Sequence, residues 1–125
     1  MIIDTDVMIW FLRGNKKALE VVNASMPFSI SIITYMELVQ GVRDKQELSR
    51  LKKALNEMDV NVIPITESIS IRASEYVEQF FLNNSMELAD ALIASSCVEQ
   101  KDSLMTANDK HYKVVDDLKF EVFRP

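Results

Sequence analysis

Asp4, Glu37 and Asp90 are set apart by their surroundings rather than by their number. Asp4 directly follows the apolar pair Ile2-Ile3, which places it at the carboxyl end of a first strand. Glu37 lies within Ser31-Ile32-Ile33-Thr34-Tyr35-Met36-Glu37-Leu38, and Asp90 within Leu88-Ala89-Asp90-Ala91-Leu92-Ile93-Ala94-Ser95, runs that are otherwise mostly small or apolar. A carboxylate in such company is costly unless something pairs with it. Hard divalent cations, Mg²⁺ or Mn²⁺ first among them, take oxygen donors of this kind, usually a few carboxylates completed by water. Acids fixed around one or two such ions activate water for in-line attack on a phosphodiester. Each acid also has a plainer use. An aspartate at a strand-to-helix turn caps the helix, which suits Asp4. Glu37 is balanced between the two uses, and Asp90, with apolar neighbours on most sides of its helix, fits a site best.

The elements that must carry these acids follow from the hydrophobic pattern. Met1 to Asp4 reads as a short buried strand and Thr5 to Leu12 as the helix after it, with Gly14 suited to the left-handed position that closes a helix. Lys16 to Asn23 continues as a helix, and Phe28 to Ser31 as a strand passing into the helix of Glu37, which ends at Gly41. Leu48, Leu51, Leu55 and Met58 form an amphipathic stripe, followed by a strand from Val60 to Ile63 that Pro64 stops. A second stripe through Ile69, Ala73, Tyr76, Val77 and Phe80 predicts a helix over 67–82. Asn84-Ser85-Met86-Glu87 resembles a capping box opening a helix over 87–100, and strands are expected at Ser103 to Thr106 and Phe120 to Phe123. Strands alternating with helices imply a mainly parallel sheet covered on both faces, with ligands gathered beyond the carboxyl ends of its strands.

The remaining composition narrows the chemistry. His111 is the single histidine and Cys97 the single cysteine, which removes internal disulfides and zinc sites built on several His or Cys ligands and disfavours a Ser-His-Asp triad. Cys97 stands in an apolar helical stretch and reads as a buried structural thiol. The net charge of −5 argues against a nucleic-acid partner, yet two divalent ions held by the acids would bring it to about −1 and reverse the local sign. The start of the chain lacks the basic residues of a secretory signal, and runs such as Val7 to Leu12 are too short to span a bilayer. Residues 1–125 are therefore read as one domain, cytoplasmic and without membrane contact.

Four motifs in order resemble the PIN domain, and more narrowly the VapC-type toxins of toxin–antitoxin pairs, over essentially the whole chain. Asp4 through Gly14 resembles the family's opening strand, first acid and helix. Ser31 through Gly41, with Thr34 and Glu37-Leu38, resembles the second motif, and Leu88 through Ala94 the third. Leu104-Met105-Thr106-Ala107-Asn108-Asp109-Lys110-His111-Tyr112 resembles the fourth, a strand and a Thr-x-Asn turn with an acid before an aromatic residue. This chain departs there: His111 precedes Tyr112, and Asp109 falls two residues earlier.

The resemblance implies a three-layer α/β/α sandwich and a Mg²⁺- or Mn²⁺-dependent endoribonuclease, the toxin of a type II pair, with Asp4, Glu37 and Asp90 as metal ligands. Asp109 is expected as the fourth carboxylate, with Asn108 holding a water, or His111 approaching the site, as the other possibilities. Asp6, Thr5, Thr106 and Asn108 are candidates to orient ligands, although capping and turn roles also explain the threonines. Arg13, Lys16 and Arg43 are candidates to contact RNA phosphates, against the commoner role of a solvated helix face. An RNA substrate, a small antitoxin and a homodimer are the expected partners, with the antitoxin in a groove involving Trp10, Phe11 and the helix of Glu37. Two other readings stay open. Asp4-Thr5-Asp6 after a strand also matches the opening of haloacid-dehalogenase-type phosphohydrolases, whose downstream paired acids would have to be Asp116-Asp117; the other is a catalytically inactive PIN-like scaffold. A receiver-like signalling domain is disfavoured because the third strand ends in Ile63-Pro64-Ile65-Thr66 without an aspartate.

Overall fold

The computed structural model describes residues 1–125. Ile2 and Ile3, both fully buried, form β1 (Ile2–Ile3), the centre of a five-stranded sheet of order β3-β2-β1-β4-β5. The other strands are β2 (Ser29–Ser31), β3 (Asn61–Ile63), β4 (Leu104–Thr106) and β5 (Phe120–Val122). Every pairing is parallel, with Ile2 opposite both Ser29 and Leu104, and Ile3 opposite Met105. Parallel neighbours need crossovers, and most are made by helices: α1 (Thr5–Leu12), α2 (Lys16–Ala24), α3 (Ile32–Gln40), α4 (Lys45–Glu57), α5 (Glu67–Asn84) and α6 (Leu88–Glu99).

Alternation along the strands divides the core in two. Ile2, Ile63 and Leu104 pack with α5, α6, Tyr112, Val115 and Leu118 on one face. Ile3, Ile30 and Met105 pack with Val7, Met8, Ala18, Val22, Leu51 and Leu55 on the other. The result is the expected three-layer α/β/α sandwich, with a sheet that is wholly rather than mainly parallel. From β1 the chain runs outward through β2 and β3, then returns to β4 on the other side of β1. The order thus reverses between β1 and β4, and the crevice beyond their carboxyl ends is where such a sheet receives ligands.

Most elements fall where the pattern places them, and Gly14 takes φ +84° directly after α1. Two details differ. The box that opens α6 is formed by Glu87 and Asp90, one turn later than Asn84 to Glu87, with the Glu87 N–H donating to Asp90 Oδ2 at 3.3 Å. Trp10 and Phe11 are half-buried against the second core, as is Ile9, and the groove beside Glu37 is lined from α1 by Ile9 and Leu12.

Candidate active site

Asp4 ends β1 and caps α1, its Oδ1 accepting the Thr5 N–H at 2.8 Å. Its Oδ2 accepts the Thr106 hydroxyl from the end of β4 at 2.7 Å, so the two strand termini at the switch point are tied through one carboxyl. Asp6, one residue into α1 from Thr5, accepts the Ala107 N–H at 3.1 Å and the Val7 N–H at 2.7 Å. Thr106 Oγ1 also accepts the Asn108 N–H at 3.0 Å, which closes the Thr-x-Asn turn beneath both acids.

From the second layer, α3 begins at Ser31, whose hydroxyl accepts the Ile33 N–H, and one turn further on it presents Glu37. Glu37 Oε1 accepts the Thr5 hydroxyl at 2.7 Å, and the Thr34 hydroxyl stands 3.0 Å from that of Thr5. Asp90 comes from the first turn of α6. The Tyr112 hydroxyl donates to its Oδ1 at 3.5 Å, and burial with the nearby Asp4 and Asp90 carboxyls pushes this phenol up, so it lies beside both acids. His111 Nδ1 lies 3.1 Å from Asp90 Oδ2. That nitrogen is buried and makes no hydrogen bond, so the contact is short but the ring N–H is not aimed at the oxygen.

Asp4, Asp6, Glu37, Thr5, Thr106 and the backbone of Asn108 are thus linked directly or through one intervening residue, while Asp90 is held separately by Tyr112 and the Glu87 N–H. Asp109 is turned away to Arg124, whose Nη2 donates to its Oδ1 at 3.0 Å while Nη1 donates to the Ala107 carbonyl at 2.8 Å. The guanidinium holds the Asp109 carboxyl below the usual carboxylate range. Arg13 and Arg43 lie along an open groove of about 820 Å³ beside Glu37, together with Arg50, whereas Lys16 is outside it. Arg43 is engaged with Glu47 at 2.7 Å. Asp117 of the Asp116-Asp117 pair sits 3.9 Å from Arg72, not among the site acids. Cys97 is fully buried, and burial pushes its thiol up, as suits a structural residue.

Two contributors were not assigned from sequence. The Tyr112 phenol was read only as a motif aromatic, and the clue lay in its place after a polar turn; Arg124, two residues into the last loop, carries no motif at all.

No three of the acidic, imidazole and thiol groups converge on a single point as they stand. The donor chemistry nevertheless fits a hard cation. Asp4 is 6% exposed, and its hydrogen-bond partners, the Thr5 amide and the Thr106 hydroxyl, are both neutral. Burial first, and then the neighbouring Asp6, push its carboxyl up from 3.8 to about 7. Burial raises Asp6 as well. Two acids packed at the end of a strand, one of them driven toward its protonated form, lack positive charge, which a divalent ion with oxygen preference supplies.

The class defined by the fold is a wholly parallel three-layer α/β/α protein with Asp4 after β1 and Glu37 and Asp90 on α3 and α6. The PIN domain family matches residues 1–118. The chain belongs to the PIN-domain family. It is 32% identical over 125 residues to Ribonuclease VapC10 of Mycobacterium tuberculosis, covering 95% of this chain and 90% of that protein. Among solved structures, a toxin–antitoxin complex from Klebsiella pneumoniae matches with TM-score 0.80 and 25% identity over 94% of this chain and 93% of that one. VapBC-1 from nontypeable Haemophilus influenzae matches in fold with TM-score 0.79 at 24% identity, over 97% and 96% of the two chains.

Proposed function

We propose that this chain is a divalent-metal-dependent endoribonuclease and the toxin of a type II toxin–antitoxin pair, hydrolysing RNA phosphodiesters. The observation that carries the reading is the buried Asp4 carboxyl, raised by burial and Asp6, at the switch point of a PIN-family sheet. The relative named as a ribonuclease and the solved toxin–antitoxin complex support the substrate and partner classes.

Asp4, Glu37 and Asp90 are the residues that would hold Mg²⁺ or Mn²⁺. When bound, such an ion supplies water activation and stabilises charge on the phosphoryl and leaving oxygens. The chain's own groups do the positioning. Thr106 and the Thr5 N–H fix the two oxygens of Asp4, the Thr5 hydroxyl fixes Glu37, Tyr112 reaches Asp90, and the Ala107 N–H holds Asp6 beside them. Arg13 and Arg43, with Arg50, offer phosphate contacts along the adjoining groove; Lys16, being outside it, contributes only long-range charge.

The test is cleavage of RNA by the purified chain, with ends mapped on total RNA after induced expression and Asp4→Asn as the control. Chelation stops cleavage, Mg²⁺ or Mn²⁺ restores it, and Ca²⁺ restores it poorly because its looser shell positions water less strictly. Undiminished cleavage in excess EDTA would remove the metal from the reading.

A further inference from the structure

We propose that His111 is a nitrogen donor to the divalent ion beside Asp90, giving the centre a mixed oxygen–nitrogen character that favours Mn²⁺ over Mg²⁺. The inference rests on the metal reading above and adds a ligand to it.

Three observations lead there. The sequence has His111 where the resemblance led one to expect an acid, directly before Tyr112. The nearest alternative acid, Asp109, is held by Arg124, which is itself anchored on the Ala107 carbonyl, so the carboxyl is directed outward. His111 Nδ1, finally, sits 3.1 Å from Asp90 Oδ2 with no hydrogen bond between them and no other partner, although it is buried.

The last observation decides the role. A buried ring nitrogen ordinarily finds a donor or acceptor, and an orphan needs a reason. A proton shared between Nδ1 and Oδ2 would align the ring N–H on the oxygen, and here it is not aligned. Two donors to one shared ion obey a different spacing. Donors about 2.1 Å from an octahedral ion, in adjacent positions, lie about 3.0 Å apart. The observed 3.1 Å matches that edge. The neutral tautomer with its proton on Nε2 leaves the Nδ1 lone pair free for the ion. Rigid placement comes from the next residue, since the Tyr112 ring is 1% exposed and pins the backbone beside the site. Carboxylate and water suit Mg²⁺, whereas imidazole suits the transition metals, so exchanging an expected acid for His111 shifts the preference.

The experiment uses the whole chain without a histidine tag, loaded with Mn²⁺ and examined by pulsed electron paramagnetic resonance. Because His111 is the only histidine, an imidazole ¹⁴N modulation on bound Mn²⁺ has a single source. The expected result is that modulation in the unaltered chain, independent of any variant's folding. His111→Asp should abolish it, still bind Mn²⁺, and narrow the Mn²⁺-over-Mg²⁺ preference by about tenfold in competition, the lower end of what tuning groups around a metal contribute. Bound Mn²⁺ without nitrogen modulation, or an unchanged preference in folded His111→Asp, overturns the assignment of His111 alone. A chain that binds no Mn²⁺ overturns both this inference and the metal reading beneath it.

Discussion

At the scale of single residues, Asp4 carries a conflict that the fold sustains. Its oxygens are held by neutral donors, and its nearest ionisable neighbour, Asp6, is another acid. The folded carboxyl, raised from 3.8 to about 7, keeps a proton that the unfolded chain has already released between those values. The folded state therefore binds more protons in that window, so metal-free stability is greatest below pH 4 as far as this group is concerned and falls as pH rises toward 7. The gap corresponds to about 4 kcal/mol as an upper order of magnitude. Asp4→Asn keeps a competent helix cap and removes the titration. Urea unfolding in EDTA at acid and neutral pH should show the unaltered chain losing about 2–4 kcal/mol across the window and the variant losing under about 1. An equal slope in both proteins would mean that the conflict is not at Asp4. Cleavage should be lost in Asp4→Asn, and equally in Glu37→Gln and Asp90→Asn, because none of these amides supplies the negative charge a hard ion needs.

At the scale of elements, the decisive piece is the turn from β4 to the short 3₁₀ turn at Asp109–His111. The Thr106 hydroxyl donates to Asp4 and accepts the Asn108 N–H, so one buried side chain locks the strand end to both the acid and the turn. Thr106→Val keeps the shape and leaves both partners unsatisfied, which should cost about 1–3 kcal/mol, while Thr106→Ser should recover most of it. Denaturant midpoints of the two variants check this; a loss in Thr106→Ser as large as that in Thr106→Val would mean that the hydroxyl is not what holds the turn. The same turn sets a second expectation. Alanine at 111 should cost more cleavage activity than alanine at 109, because His111 faces Asp90 and Asp109 faces Arg124. The opposite order would return the fourth position to Asp109.

Sequence alone predicts the reverse, and the reason is instructive. The elements were legible because stripes such as Leu48-Leu51-Leu55 and Ile69-Ala73-Tyr76 report their own period, and Asp4, Glu37 and Asp90 were legible because each interrupts an apolar run. The direction of Asp109 depends on Arg124, fifteen residues away and brought near by the pairing of β5 with β4. Long-range pairing of that kind leaves no local pattern. Which residues of α1 line the groove is hidden for a related reason: Ile9, Trp10, Phe11 and Leu12 are all apolar, so periodicity cannot choose among them.

At the scale of the whole molecule, the acids do not stand alone but open onto the groove between α1, α3 and α4. Its walls are apolar at Ile9, Leu12, Leu38, Leu51 and Ala54, and Glu37 joins it to the site. No helix of the chain is long and apolar enough to cross a membrane. An antitoxin tail fits the groove on two counts. Apolar side chains of the tail would bury against Leu12 and its neighbours, and an Arg or Lys at the inner end would meet carboxylates that have no cationic partner at Asp4. The two contributions should separate. Breaking a buried charge pair by removing one partner costs about 3–5 kcal/mol at that pair, while apolar contacts elsewhere persist. Replacing the antitoxin's basic residue should therefore release nuclease activity more than it weakens association. Leu12→Asp on this chain should instead weaken association: Leu12 is 43% exposed in the groove wall, and the complex with the co-expressed neighbouring small protein loses about tenfold or more in affinity, the effect of about 1.4 kcal/mol. Titration calorimetry and an RNA-cleavage assay on the same samples read both arms. If Leu12→Asp binds as well as the unaltered chain, the groove is not the antitoxin's seat; if the neighbouring protein neither binds nor inhibits, the toxin–antitoxin pairing falls and the nuclease reading stands on the acids alone.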